Sequence, residues 1–319
     1  MAINSRIIAS GSYLPEKVLT NNDLSLMVET SDEWIFERTG IKQRHIAANN
    51  QLTSDLAYQA SIEAFKSSHI SPKDIELIIV ATTTPDLTFP ATATILQSKI
   101  GAKKAFAFDV QAVCSGFVYA LSIADNYIKS GNVRNALVVG AETLSRIVDW
   151  KDRNSCVLFG DGAGAVVLEA CEPDNGIIAS SLYSDGDLNG ILKTSGGVSL
   201  NQKIGFIEMS GKEVFKHAVD KMSKCVQDSL LKAKIKVENV DLLIPHQANQ
   251  RILSAVATKI GIDQNKVIVT VEKHANTSAA SIPLAIDYAT KNNMIKENDI
   301  IVLEALGGGL TWGSIVIKW

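Results

Sequence analysis

Apolar residues along the chain occur in two patterns, short continuous runs and longer stretches at helical spacing. The runs are rich in β-branched residues, which is typical of strands buried on both faces of a parallel sheet. They predict buried strands at 75–83, 105–109, 136–140, 165–168 and 242–245. The stretches with a three-to-four-residue repeat predict amphipathic helices at 53–68, 117–128 and 211–230. Strands that alternate with helices predict an α/β fold with mainly parallel sheets and helices packed on them.

Polar and glycine positions mark where these helices begin and end. Ser31 is predicted to cap a short helix, and Gly101 is predicted to end another. Ser210 and Glu213 have the spacing of a capping box at the start of the third helix. The polar, glycine-bearing stretch 185–203 is predicted to be a long surface loop.

The chain contains an internal repeat. Segments match at offsets of 165 and 160 positions, 74–80 with 239–245 and 98–101 with 258–261. The shorter offset, carried forward, places Cys114 opposite residues 274–276. We therefore predict two similar α/β halves, 1–172 and 173–319.

Cys114 is the first candidate for chemistry, because it lies where a buried strand passes into a helix. The unpaired N–H groups of a helix N-terminus favour a thiolate and can lower a cysteine pKa from about 8.5 to roughly 3.5–7.5. The alternative is a buried structural cysteine. The other cysteines show no metal-ligand or disulfide spacing and are predicted to be core residues: Cys156, Cys171 and Cys225.

Three further positions also follow buried strands. His246 comes after the run 242–245, Asn276 begins the next strand–helix junction, and glycines occupy 307–309. Ligands of open parallel sheets bind at such strand ends. The glycine N–H groups could form an oxyanion hole. The alternatives are that His246 is an ordinary surface or core histidine, that Asn276 is a helix cap and that the glycines form a plain tight turn.

Composition narrows the function classes. The 319 residues are 46% apolar with a net charge of −3, which permits a large core and gives no indication of nucleic-acid binding. No apolar run reaches the roughly 18 residues of a membrane span. The first residues lack a signal-peptide pattern, so we expect a cytoplasmic protein. We expect no metal site, because the cysteines lack metal-ligand spacing.

Several sequence blocks, in order over essentially the whole chain, resemble the β-ketoacyl-acyl-carrier-protein synthase III family. The blocks are 11–15, 30–35, 38–41, 159–164, 245–249, 276–281 and 307–313. This resemblance implies a thiolase-like fold of two duplicated halves in an α-β-α-β-α layering. Two departures lie beside the site: Ser115 stands where alanine is common, and Ala275 where glycine usually precedes the active-site asparagine.

The resemblance implies a role for each candidate. Cys114 resembles the acylated nucleophile, and His246 and Asn276 resemble the pair that binds the malonyl thioester. The N–H groups of Cys114 and Gly308 resemble the oxyanion hole. Coenzyme A contacts are implied at Trp34, Arg38, Thr39, Arg153, Gly211, Phe215, Asn249 and Ile252. Gln247 and Arg251 match carrier-protein contacts, and Phe89 matches a primer-pocket residue given by a dimer partner.

The implied reaction joins an acyl-CoA to malonyl-acyl-carrier protein, giving 3-oxoacyl-acyl-carrier protein, carbon dioxide and coenzyme A. It starts fatty acid synthesis and uses no cofactor, the coenzyme A thioester being a substrate. We expect a homodimer. The alternatives are a polyketide- or quinolone-type synthase with another acceptor, and a catalytically silent acyl-CoA-binding protein.

Overall fold

The computed structural model describes residues 3–319. Its strands are β1 (Asn4–Tyr13), β2 (Lys17–Thr20), β3 (Gln43–Ile46), β4 (Leu77–Ala81), β5 (Phe106–Val110), β6 (Asn135–Glu142), β7 (Gly162–Cys171), β8 (Gly176–Ser184), β9 (Leu192–Thr194), β10 (Ile207–Met209), β11 (Leu242–Pro245), β12 (Ile300–Gly307) and β13 (Thr311–Lys318). Its helices are α1 (Asn21–Ser25), α2 (Asp32–Thr39), α3 (Thr53–Lys66), α4 (Thr92–Ile100), α5 (Gly116–Lys129), α6 (Arg153–Cys156), α7 (Val198–Asn201), α8 (Gly211–Ala233), α9 (Gln250–Ile260), α10 (Val271–His274) and α11 (Ser281–Lys291).

Two large sheets repeat one topology. The first has the order β1-β7-β6-β4-β5 and the second the order β8-β13-β12-β11. In each, two antiparallel pairings are followed by a parallel one. Leu77 pairs with Ala136, and 165 positions later Leu242 pairs with Ile301. The predicted boundary at 172/173 falls between β7 and β8, and the division into two halves stays a prediction.

The sheets and helices form five layers. Helices α5 and α11 lie between the two sheets and share one core with both of them. Helices α3 and α4 cover the outer face of the first sheet, and α8 and α9 cover that of the second. Phe117 and Leu121 of α5 are fully buried, and burial of each such side chain stabilises the fold by about 1.5–3 kcal/mol. The predicted α-β-α-β-α arrangement is confirmed.

Two of the predicted helix-end signals are confirmed, at Ser31 and Gly101. Ser31 accepts a hydrogen bond from the Trp34 N–H at 3.1 Å, as an N-cap does. Gly101 follows α4 with φ 72°, in the left-handed region that glycine favours. The predicted capping box at Ser210 is wrong, since its side chain makes no cap hydrogen bond. Its ψ of 76° departs from the extended geometry that the Ser31 cap adopts.

The predicted loop 185–203 is also partly wrong. It contains β9 and the short helix α7. Strand β9 pairs with β10, which lies outside the stretch. Because β10 lies beyond the polar stretch, the pattern of 185–203 alone carries no sign of the pairing.

The repeat places Cys114 differently from our prediction. Helix α5 begins at Gly116 and α11 at Ser281, so the offset at this point is again 165, and Cys114 corresponds to Ala279. Val113 and Ser278 occupy matching positions and share a positive φ, 48° and 47°. The prediction was wrong because α10 is an extra turn with no counterpart in the first half.

Candidate active site

Cys114, His246 and Asn276 line one cavity with a volume of about 590 Å³. Cys114 follows β5 and His246 follows β11, so both lie at the carboxyl ends of parallel strands. Asn276 follows the inserted turn α10. The fold therefore brings three residues together that are far apart in the sequence.

Cys114 is buried in a tight turn at the N-terminus of α5. Burial raises the pKa of its thiol to about 12, and the charge of Glu142 acts in the same direction. The Ser278 hydroxyl opposes this shift only in part. This direction is opposite to the low pKa predicted from the helix N-terminus, because burial removes the solvation that stabilises a thiolate.

Glu142 is a buried carboxyl group near Cys114 that the sequence analysis did not identify. It ends β6 and accepts hydrogen bonds from the Thr84 hydroxyl at 2.6 Å and from the Thr83 N–H at 3.1 Å. Burial raises its pKa to about 7 despite these donors. Thr83 lines the cavity, so Glu142 holds one wall of the site in place.

His246 is buried, and its Nδ1 lies 2.6 Å from the Ser281 hydroxyl oxygen. That oxygen also accepts the Gln247 N–H at 3.2 Å, and His246 Nδ1 is the acceptor within reach of the Ser281 proton. The hydrogen bonds therefore assign the ring proton to Nε2. Burial lowers the pKa of His246 to about 3, which keeps the ring neutral.

Asn276 is held by both its backbone and its side chain. Its N–H donates to the Leu158 carbonyl at 2.9 Å, and its carbonyl accepts the Gly160 N–H at 3.0 Å. Its Oδ1 accepts the Ser278 N–H at 2.8 Å, which fixes the side-chain rotation and leaves the amide NH₂ as donor. The block 159–164 thus acts by anchoring this asparagine.

The predicted departure at Ala275 has a structural consequence. Its φ and ψ are 59° and −160°, a region that is essentially restricted to glycine. Ala275 is fully buried, and its N–H bonds to the Val271 carbonyl at 2.9 Å. The surrounding contacts therefore hold a strained alanine directly before Asn276.

The glycine segment after β12 approaches Cys114 closely. A Cβ on Gly307 would lie 2.6 Å from the Cys114 nitrogen, so only glycine fits there. Gly308 follows and lines the cavity. Within residues 3–319, neither the Cys114 N–H nor the Gly308 N–H donates a hydrogen bond to a protein group. Both N–H groups are available to an oxyanion.

Two arginines flank Trp34 at the surface. The guanidinium carbons of Arg38 and Arg153 lie 4.5 and 4.9 Å from the centre of its ring. Arg153 also donates to the Glu29 carbonyl at 3.0 Å. The structure therefore groups three of the predicted coenzyme A contacts, which suit an aromatic, anionic nucleotide.

Four other predicted coenzyme A residues line the cavity: Gly211, Phe215, Asn249 and Ile252. Asn249 is also the N-cap of α9, and it donates to the Arg38 carbonyl at 2.9 Å. Thr39 is different. It is buried, and its hydroxyl donates to the Ile35 carbonyl at 2.7 Å and accepts the Ile41 N–H at 3.0 Å. Its predicted ligand contact is therefore corrected to a structural role.

The predicted carrier-protein residues differ in their exposure to solvent. Arg251 is exposed at the start of α9. Gln247 is fully buried, and its side chain makes hydrogen bonds to four backbone groups at 245, 268, 270 and 271. It cannot touch a docking protein, so that prediction is corrected. Phe89 is 83% exposed and does not line this chain's cavity.

The remaining cysteines do not share the site. Cys156 and Cys225 are buried and Cys171 is half-buried, and burial raises the pKa of each thiol. Among residues 3–319 there is no cluster of three or more His, Cys, Asp or Glu side chains suited to a metal ion. None of the helices in that range has the length and apolar character needed to span a membrane.

Models of the 3-oxoacyl-[acyl-carrier-protein] synthase III family match residues 108–186, and those of its C-terminal domain match residues 230–319. The β-ketoacyl-[acyl-carrier-protein] synthase III of Ehrlichia canis (strain Jake) is 56% identical over 315 residues, covering 98% of this chain and 99% of the relative. The chain belongs to this family. A synthase III of the same name from Wolbachia pipientis wMel is 57% identical over 316 residues, covering 99% of both chains.

A solved structure agrees with the sequence relatives. The 3-oxoacyl-[acyl-carrier-protein] synthase III from Aquifex aeolicus VF5 superposes with a TM-score of 0.95 at 48% identity, covering 99% of this chain and 100% of that chain. The predicted family, thiolase-like fold and class are confirmed: the chain is an acyltransferase, the condensing enzyme that starts fatty acid synthesis. The polyketide- or quinolone-type alternative is not favoured.

Proposed function

We propose that this synthase condenses a short acyl-CoA with malonyl-acyl-carrier protein through a Cys114 thioester. The observation that supports it most is the cavity in which Cys114 faces the same space as His246 and Asn276. The products are 3-oxoacyl-acyl-carrier protein, carbon dioxide and coenzyme A.

In the first half-reaction, the Cys114 sulfur attacks the carbonyl carbon of the acyl-CoA. The developing oxyanion accepts the N–H groups of Cys114 and Gly308. The new bond joins the acyl carbon to the Cys114 sulfur, the bond to the coenzyme A sulfur breaks, and the thiol proton ends on the departing coenzyme A. Because burial raises the pKa of Cys114, its sulfur carries the proton before the attack.

In the second half-reaction, the malonyl thioester loses carbon dioxide. The electron pair of the broken carbon–carbon bond forms an enolate, whose oxygen accepts hydrogen bonds from His246 Nε2–H and the Asn276 amide. The enolate carbon then attacks the Cys114 thioester and expels the Cys114 sulfur, which takes up a proton from solvent. No cofactor enters these steps, because loss of carbon dioxide supplies the carbanion.

The substrates reach Cys114 from the surface that carries Trp34 and Arg251. Trp34, Arg38 and Arg153 would hold the adenine and phosphates of coenzyme A by stacking and charge. The exposed Arg251 would attract the acidic carrier protein. The homodimer and the cytoplasmic location stay predictions within this proposal, as do the halves 1–172 and 173–319.

The half-reactions can be tested separately with Cys114→Ala, His246→Ala and Asn276→Ala. Labelled acetyl-CoA measures acylation, and carbon dioxide release from labelled malonyl-carrier protein measures decarboxylation. His246→Ala and Asn276→Ala should keep acylation and lose about 10²–10³-fold in condensation, since each removes one donor to the enolate oxygen. Cys114→Ala should lose acylation entirely.

Two outcomes would contradict the proposal. One is a wild-type protein that gains no acyl group on Cys114 from any acyl-CoA. The other is a His246→Ala protein that loses acylation as completely as Cys114→Ala, which would make His246 the base for the thiol.

A further inference from the structure

Two hydroxyl groups connect the nucleophile turn to the glycine segment. Ser115 is fully buried directly after Cys114, and its Oγ lies 2.8 Å from the Thr311 Oγ1. Thr311 Oγ1 in turn lies 3.1 Å from the Gly308 carbonyl oxygen. The segments 112–116 and 307–311 are thus joined by side chains as well as by packing.

Two carbonyl oxygens are within hydrogen-bond distance of these hydroxyl groups. The Ala112 carbonyl already accepts the Ser115 N–H at 3.1 Å. It also lies 2.7 Å from Ser115 Oγ and 3.1 Å from Thr311 Oγ1. Each hydroxyl has one proton: in one allowed arrangement Ser115 donates to Thr311 and Thr311 donates to the Gly308 carbonyl, and in another Ser115 donates to the Ala112 carbonyl.

The link lies between the two donors of the oxyanion hole. One donor is the Cys114 N–H, next to Ser115, and the other is the Gly308 N–H, on the residue whose carbonyl Thr311 holds. Gly307 packs so closely on Cys114 that any side chain there would collide with it. This backbone contact holds the Cys114 N–H in place. The direction of the Gly308 N–H depends on the backbone torsions at Gly308, which the contact does not fix.

We propose that Ser115 and Thr311 are positioning residues that set the separation and direction of the two oxyanion donors. Ser115 acts through Thr311, and Thr311 acts through Gly308. The serine at 115 gives this chain a contact that alanine, common there in the family, cannot make. The proposal rests on the proposed function, because it requires Cys114 to be acylated.

The test measures the rate of Cys114 acylation by acetyl-CoA in four variants: Ser115→Ala, Thr311→Val, Thr311→Ser and the Ser115→Ala/Thr311→Val double variant. Thr311→Val should lower kcat for acylation about 10-fold with an unchanged KM, and Ser115→Ala about 3-fold, as loss of one hydrogen bond allows. Thr311→Ser keeps the hydroxyl and should keep the wild-type rate. The double variant should match Thr311→Val, since Ser115 has no separate route to Gly308.

A spectroscopic readout separates positioning from folding. The carbonyl stretch of a ¹³C-acetyl enzyme should move to higher frequency in Thr311→Val, because its oxygen accepts weaker hydrogen bonds. Ser122→Ala serves as the matched control: it removes a hydroxyl from α5 that lies 3.2 Å from Ser180 Oγ, away from the cavity. It should leave both the rate and the frequency unchanged.

Three results would overturn the inference. They are wild-type acylation rates in Thr311→Val, equal losses in Thr311→Ser and Thr311→Val, and additive effects in the double variant. If instead the wild type is not acylated at all, the proposed function fails, and the two failures are distinguishable.

Discussion

At the residue scale, burial decides the protonation of the site. It raises the pKa of Cys114 to about 12 and lowers that of His246 to about 3. Both groups are therefore neutral near pH 7, and no ion pair between them exists before substrate binds. Neutral His246, with its proton on Nε2, is a hydrogen-bond donor suited to an enolate oxygen.

This protonation state predicts the pH dependence of decarboxylation. An unfolded histidine titrates near 6.5, whereas His246 in the fold stays neutral until the pH approaches 3. Carbon dioxide release in the second half-reaction should therefore be flat between pH 5 and 8. The measurement is single-turnover release from labelled malonyl-carrier protein with acetylated enzyme. An acid limb with an apparent pKa near 6.5 that disappears in His246→Ala would contradict it.

At the scale of single elements, α10 determines where the asparagine lies. This extra turn separates the second half from an exact repeat of the first, and it brings Asn276 beside Leu158 and Gly160. Its end at Ala275 requires a glycine-like backbone. The element that positions Asn276 thus ends at a strained residue.

Relief of this strain should stabilise the protein. Ala275→Gly removes a Cβ from a region that costs of order 1–3 kcal/mol for other residues, although glycine loses more entropy on folding. We expect a gain of about 1 kcal/mol and a rise of roughly 2 °C in Tm, measured by thermal unfolding. Ala280→Gly is the matched control, since Ala280 has a helical φ of −76°, and it should lower Tm. If Ala275→Gly also lowers the Tm, the inferred backbone strain at Ala275 is contradicted.

At the scale of the whole molecule, the first sheet ends in an exposed strand. Strand β5 is the edge of the order β1-β7-β6-β4-β5. Phe106 on it is 44% exposed, and it lies 5.5 Å from the Tyr127 ring and 6.4 Å from the Phe108 ring, centre to centre. An apolar edge of this kind is a template for pairing with another chain. It supports the expected homodimer.

A charge at this edge should separate the subunits. Phe106→Asp places a carboxylate on β5; in sedimentation velocity we expect the wild type to be a dimer and this variant to be a monomer. Leu231→Asp is the control, because Leu231 is 78% exposed on α8, away from this edge, and it should leave the mass unchanged. If Phe106→Asp is still a dimer, the interface does not lie at β5.

The sequence by itself determined the local elements and the repeat. The buried runs, the helical spacing and caps such as Ser31 are set by contacts within a few residues, so periodicity reports them directly. The position of Cys114 between a strand and a helix is equally local. The family blocks also identified His246 and Asn276, since each block keeps its own short pattern.

Only the tertiary structure decided how these residues behave. Burial of Cys114 depends on packing from both halves, and it reversed the pKa shift that the helix N-terminus predicted. Gln247 follows His246 directly, yet its buried side chain bonds to backbone groups at 245, 268, 270 and 271, three of them more than 20 positions away. The hydroxyl link from Ser115 to Thr311 joins positions 196 apart. Solvation and long-range hydrogen bonds depend on the assembled fold, and the local residue pattern does not contain them.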